Sequence, residues 1–115
     1  WGEALNKAGE FPIKLNLQNK LVYSPHIYGP DNYNMSYYQT PDFPGNMPGI
    51  WNSQFGYILN STLNGVGSAL VPGEWGGWYH DDDGVWMDAL ISYANDIGMQ
   101  SNFMWCMNPN SPSTG

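Results

Sequence analysis

One cysteine, Cys106, and no arginine stand among the 115 residues. A single thiol excludes an internal disulfide and leaves the redox compartment unread; Cys106 itself reads as a small buried hydrophobe. Basic charge is scarce: three lysines face ten acids, for a net charge of −7 and a pI near 4.2. That balance repels phosphate backbones and anionic bilayers, so neither nucleic acid nor a membrane is expected as a partner. No apolar run approaches the ~18 residues of a membrane span, and no charged-then-apolar leader opens the chain. It begins at Trp1 without a Met, which suggests a processed product or an excised piece. Internal repeats and low-complexity tracts are also lacking.

What is present in excess is aromatic side chains: six Trp, eight Tyr and four Phe, 16% of the chain. Flat rings with N–H or O–H groups at their edges stack on the apolar faces of a sugar while hydrogen-bonding its hydroxyls. About half of them are expected in the core instead. With 42% hydrophobic residues, 115 residues suffice for one core.

Along the chain, residues 1–20 are polar and irregular, with Phe11, Ile13, Leu15 and Leu17 alternating as in an edge strand or extended loop. Leu21 to His26 reads as a buried strand. Residues 29–47 form a long loop rich in tyrosine and proline, of a length that is usually functional in compact domains. A helix is predicted from Pro48 to Thr62, with Asn46 as its cap and Trp51, Phe55, Ile58 and Leu59 on one face. Ser68 to Val71 is the second strand, and it delivers Glu74 at its end. The run Asp81-Asp82-Asp83 could suggest calcium, yet it directly precedes a helical pattern (Trp86, Ala89, Leu90, Tyr93, Ala94, Ile97), so capping and dipole pairing is the better reading and no metal is expected. Gly98 closes that helix. Ser101 to Met107 is a third strand. Strands alternating with amphipathic helices imply an α/β fold with parallel strands, whose C-terminal ends share one face.

Glu74 lies in Val71-Pro72-Gly73-Glu74-Trp75-Gly76-Gly77, where glycines on both sides allow a ligand or another backbone to come close. His26 with Tyr28, Glu74, and Trp105 all fall at the strand ends. Three strands bringing polar or aromatic groups to one rim is a poor fit to core packing alone.

The segments Tyr23-Ser24-Pro25-His26-Ile27-Tyr28-Gly29-Pro30, Asn46-Met47-Pro48, Gly73-Glu74-Trp75-Gly76-Gly77 and Trp105-Cys106-Met107-Asn108-Pro109-Asn110-Ser111 resemble, in order, those of glycoside hydrolase family 5 endoglucanases (cellulases). The resemblance covers nearly the whole chain and implies a partial (β/α)8 TIM barrel, about strands six to eight with two intervening helices. Residues 1–115 would then be a C-terminal fragment of one catalytic domain. It implies that Glu74 is the nucleophile, that Tyr28 hydrogen-bonds it, and that His26 binds substrate and orients the catalytic groups. It further implies that Trp105 is a platform under a sugar ring and that Trp1 lines the aglycone side. A secreted, monomeric protein acting on a β-glucan polysaccharide, without cofactor, is expected.

Some residues depart from the family pattern. Pro72 stands where an aliphatic residue is usual, and a proline within a strand removes a ladder hydrogen bond, so distortion beside Glu74 is expected. Met107 replaces a common tryptophan. The family's acid/base glutamate follows an asparagine, and the chain contains no Asn-Glu step; Glu3 matches a loop position and Glu10 a polar stretch, so neither is assigned that role. A complete barrel takes roughly 250 residues. The chain alone is therefore expected to be poorly folded and inactive. A competing reading, a non-catalytic carbohydrate-binding module, accounts for the aromatics, but such modules are mostly β-sandwiches and the two helical patterns oppose it.

Overall fold

A computed structural model of the chain describes residues 2–17, 19–60 and 68–106. The elements run β1 (Val22–Tyr23), β2 (His26–Tyr28), a 3-10 turn (Ser36–Gln39), α1 (Met47–Trp51), a π-helical turn (Asn52–Gly56), α2 (Tyr57–Asn60), β3 (Ala69–Leu70), β4 (Glu74–Gly76) and α3 (Asp81–Asp96). Both strand pairs are parallel, β1 with β3 and β2 with β4. Parallel pairs need a long crossover between them, and the segment that holds α1 and α2 provides it. This α/β arrangement is not the β-sandwich that a binding module would call for.

The strand expected from Leu21 to His26 is two short pieces separated by Ser24 and Pro25, and the second continues to Tyr28. The partner strand is broken at the same level. Ser24 and Pro25 face three residues, Val71, Pro72 and Gly73, between the pairs Tyr23–Leu70 and His26–Glu74. One extra residue on one strand is a β-bulge, a place where proline is tolerated because no ladder donor is lost. The distortion expected at Pro72 is this bulge. The amides on either side of Pro72 still reach across, Val71 N to Tyr23 O and Gly73 N to Pro25 O, both at 2.9 Å. Because side chains alternate along a strand, an inserted residue changes which side chain faces the partner, and here it sets Glu74 opposite His26. Glu74 thus opens β4 rather than trailing a strand that ends at Val71.

The helix expected over Pro48–Thr62 begins at Met47 and passes through the π turn at Asn52–Gly56; Thr62 lies outside the described residues. Asn46 occupies the cap position without capping. Its amide instead donates to Tyr37 O (2.8 Å) and Thr40 Oγ1 (3.0 Å), which ties the long loop to the helix start. The third strand is reduced to one parallel bridge, Trp75 with Met104, and Met107 is outside the described residues. α3 has the expected face: Trp86, Leu90 and Tyr93 are buried, and Gly98 follows the helix with φ +75°, a left-handed conformation that glycine adopts without strain. His80 takes the cap position and Asp81, Asp82 and Asp83 the first turn, where negative charge suits the helix dipole.

The core lies where α1 and α3 cross over the strands. Trp51 meets Trp86 edge-on at 6.0 Å and Tyr93 at 5.3 Å, and Phe55 meets Tyr93 at 6.3 Å. Ile27, Met47 and Ile58 are fully enclosed with them. Residues 2–10 lie along the π turn and α2, fastened by Leu5 N to Gln54 O (2.9 Å) and by Tyr57, which donates to Leu5 O at 2.8 Å. No strand forms along Phe11–Leu17, whose apolar side chains are exposed. Cys106 is half-buried rather than buried.

Candidate active site

His26, Tyr28 and Glu74 converge because β2 and β4 run in register. His26 pairs with Glu74, and Tyr28, two residues on, points to the same face. The Tyr28 hydroxyl donates to Glu74 Oε2 at 2.8 Å. His26 Nδ1 lies 3.3 Å from the same oxygen, within ion-pairing range but off hydrogen-bonding geometry. Gly73 makes that approach possible, because a Cβ there would come within 2.9 Å of His26 Nε2 and closer still to Ser24 Oγ.

Tyr28 is held at both ends. Its carbonyl accepts from the buried Tyr38 hydroxyl at 2.9 Å, and its ring meets Tyr33 edge-on at 6.5 Å. Burial first, and then the bonded Glu74 carboxylate, push the Tyr28 hydroxyl above its ordinary range, so it stays a donor at neutral pH. Tyr38 is raised in the same direction, chiefly by burial.

These groups line an open cleft of about 470 Å³ whose wall also carries Glu3, Asn32, Tyr33, Met35, Tyr37, Gln54 and Trp105. Trp105 is 46% exposed there, a free indole face at the rim. Its backbone is secured to β4: Trp105 N donates to Trp75 O at 2.8 Å, and the Trp105 carbonyl packs where a side chain at Gly76 would sit. The Trp75 indole turns away from the cleft and donates to Asn102 Oδ1 at 2.7 Å. Four of the five site residues expected from the sequence thus share one cleft, and the fifth, Trp1, lies outside the described residues.

One acid to which the sequence reading assigned no role, Glu3, also lines that cleft. Glu3 is carried there because the His26 amide donates to Gly2 O at 3.2 Å, which lays residue 2 beside β2. Its Oε1 is buried without a hydrogen-bond partner, as is Gln54 Oε1 on the same wall. Burial pushes the Glu3 carboxyl up to about 7. The signal that pointed to it was its place two residues after Trp1, itself expected beside the substrate.

A carboxylate, a phenol bonded to it, a histidine alongside and an exposed indole in an open cleft suit chemistry on a carbohydrate. Comparison with known proteins agrees. The model of the cellulase family, glycosyl hydrolase family 5, matches residues 1–111. The whole chain is 38% identical to 23% of the major extracellular endoglucanase of Xanthomonas campestris pv. campestris and 35% identical to 28% of an endoglucanase of Paenibacillus polymyxa. Among solved structures, the hyperthermophilic endocellulase of Pyrococcus horikoshii superposes with a TM-score of 0.88 at 38% identity, over the whole of this chain and 30% of that one. Variants of that enzyme have been solved in complex with cellotetraose. The chain spans about a quarter of the length of the curated relatives. It belongs to glycosyl hydrolase family 5, whose fold is the (β/α)8 barrel.

Proposed function

We propose that the chain carries the nucleophile side of a retaining endo-β-1,4-glucanase site and corresponds to about the sixth to eighth strands of the barrel. The observation that carries this reading is the Tyr28–Glu74 hydrogen bond at 2.8 Å, formed between paired strand ends in an open cleft. Glu74 attacks the anomeric carbon of the bound sugar, forming a covalent glycosyl ester as the leaving-group oxygen is protonated. Tyr28 and His26 both address Oε2, which fixes the carboxylate's orientation for that attack. Trp105 offers its exposed face to a sugar ring.

Retention requires a second carboxyl about 5 to 5.5 Å from the nucleophile, first as acid and then as base. The reading assigns that role to a residue in the part of the relatives' length that this chain does not span. The substrate is a β-glucan, as supported by relatives named endoglucanases and by the cellotetraose complexes of one of them. Secretion is part of the proposal, resting on the relative named as extracellular, and so are a monomeric state and residues 1–115 as a segment of one catalytic domain.

The test is Glu74→Gln in the full-length enzyme. Glucan turnover should vanish while cello-oligosaccharide binding stays within a fewfold of the parent. Turnover that survives the change removes Glu74 from the reaction.

A further inference from the structure

Among the described residues, Asp83 is the one charged side chain that is fully buried, 1% exposed. Enclosing a carboxylate is costly unless charge or dipoles compensate. It sits in the first turn of α3 and does not line the cleft. A Cβ at Gly29 would overlap Asp83 Oδ1, and a Cβ at Gly77 would overlap Asp83 Oδ2, so the carboxylate is wedged between two backbones that only glycine leaves open. Those backbones continue the two strands of the site. Gly29 directly follows Tyr28, and Gly77 stands three residues after Glu74.

The compensating dipoles come from the same two connections. Burial raises the Asp83 carboxyl, and the nearby Asp31 charge adds to this, while the backbone amides of Tyr79, Asp31 and Trp78 oppose both. Asp31 belongs to the loop after β2; Trp78 and Tyr79 belong to the connection between β4 and α3. Oδ2 meets no partner at hydrogen-bonding geometry, so close packing against Gly77 defines its position. On the other side the Trp86 ring packs against Gly29. One carboxylate therefore gathers amides and close contacts from both strand ends whose side chains form the 2.8 Å Tyr28–Glu74 bond.

We infer that Asp83 is a positioning residue for the reaction: it clamps the backbones after β2 and β4 and thereby sets the distance between Tyr28 and Glu74. This rests on the function proposed above. It assigns Asp83 no contact with substrate.

The test uses the full-length enzyme with rates normalised to active-site titre, so that misfolded protein is not counted. Asp83→Asn keeps the shape but removes the charge that the surrounding amides favour. It should lower kcat at least tenfold while KM stays within about twofold. Combined with Tyr28→Phe, it should cost little beyond Tyr28→Phe alone, because both changes act through one hydrogen bond. If Asp83→Asn yields no folded enzyme, Asp83→Ser, which keeps an acceptor oxygen, carries the same comparison. Unchanged kcat per titrated site, or losses that multiply independently of Tyr28, would overturn the inference. With Glu74→Gln measured in parallel, an active Glu74 variant overturns the functional reading itself, whereas an inactive one beside an unimpaired Asp83 variant overturns only the clamp.

Discussion

The Tyr28 hydroxyl and the Glu74 carboxylate meet at 2.8 Å, and they do so because the bulge at Pro72 sets β4 in register with β2. The bond joins residues 46 positions apart in the chain, so it exists only in the folded sheet. It is also the contact through which the proposed chemistry is organised.

Tyr28→Phe removes the donor and leaves the ring. A hydrogen bond to a charged partner is worth about 1.5 to 3 kcal/mol, so kcat of the full-length enzyme should fall about 10- to 100-fold. KM should change little, because the lost bond is to the nucleophile. Steady-state kinetics on a soluble cello-oligosaccharide measures both; a higher KM at unchanged kcat would make Tyr28 a substrate-binding residue.

Trp105→Ala should act in the opposite way. If stacking on a sugar contributes as much as an aromatic pair, about 0.5 to 1.5 kcal/mol, KM should rise about 2- to 13-fold, and Trp105→Phe should recover part of the loss. Equal KM values for the three proteins would exclude stacking.

Glu3 gives stability a pH dependence. Its carboxyl is raised from 4.5 to about 7 by burial. Below pH 4.5 it is protonated both folded and unfolded, and its ionisation costs nothing. As pH rises above 4.5 the unfolded chain ionises while the folded one resists, so stability falls until about pH 7 and then levels off, a loss of at most about 3 kcal/mol. Glu3→Gln should remove this decline, and urea unfolding of the full-length enzyme at pH 5 and pH 8 measures it. A parent and variant with parallel pH profiles would show that Glu3 ionises freely.

These positions also mark what the sequence made legible. The parallel α/β order, the periodic face of α3 and the meeting of His26, Tyr28 and Glu74 could be read because each rests on local patterning or on short, specific motifs. Element bounds could not. Strand breaks at Ser24–Pro25 and Val71–Gly73 come from pairing across 47 or 48 residues, and the π turn at Asn52–Gly56 interrupts a pattern that reads as continuous helix. Asn46 looks like a cap, yet tertiary contact with Tyr37 and Thr40 takes its side chain. The burial of Glu3 and Asp83 could not be read either, because neither spacing nor composition encodes it.

The isolated 115-residue chain should hydrolyse no glucan and show no cooperative thermal transition. Phe11, Leu17, Val22, Ile91 and Phe103 stand exposed, and the proposed second carboxyl is supplied from outside the chain. Calorimetry together with a reducing-sugar assay tests this; a sharp transition with activity would contradict it.

The central claim is that Glu74 is the nucleophile, and covalent trapping tests it most directly. A 2-deoxy-2-fluoro cellobioside with a good leaving group should inactivate the full-length enzyme with one label per active site, because the fluorine slows both steps through their oxocarbenium-like transition states while the leaving group keeps formation of the glycosyl ester faster than its hydrolysis. Peptide mass spectrometry should place the label on Glu74. A label on any other residue, or inactivation of Glu74→Gln at the parent rate, would contradict the account.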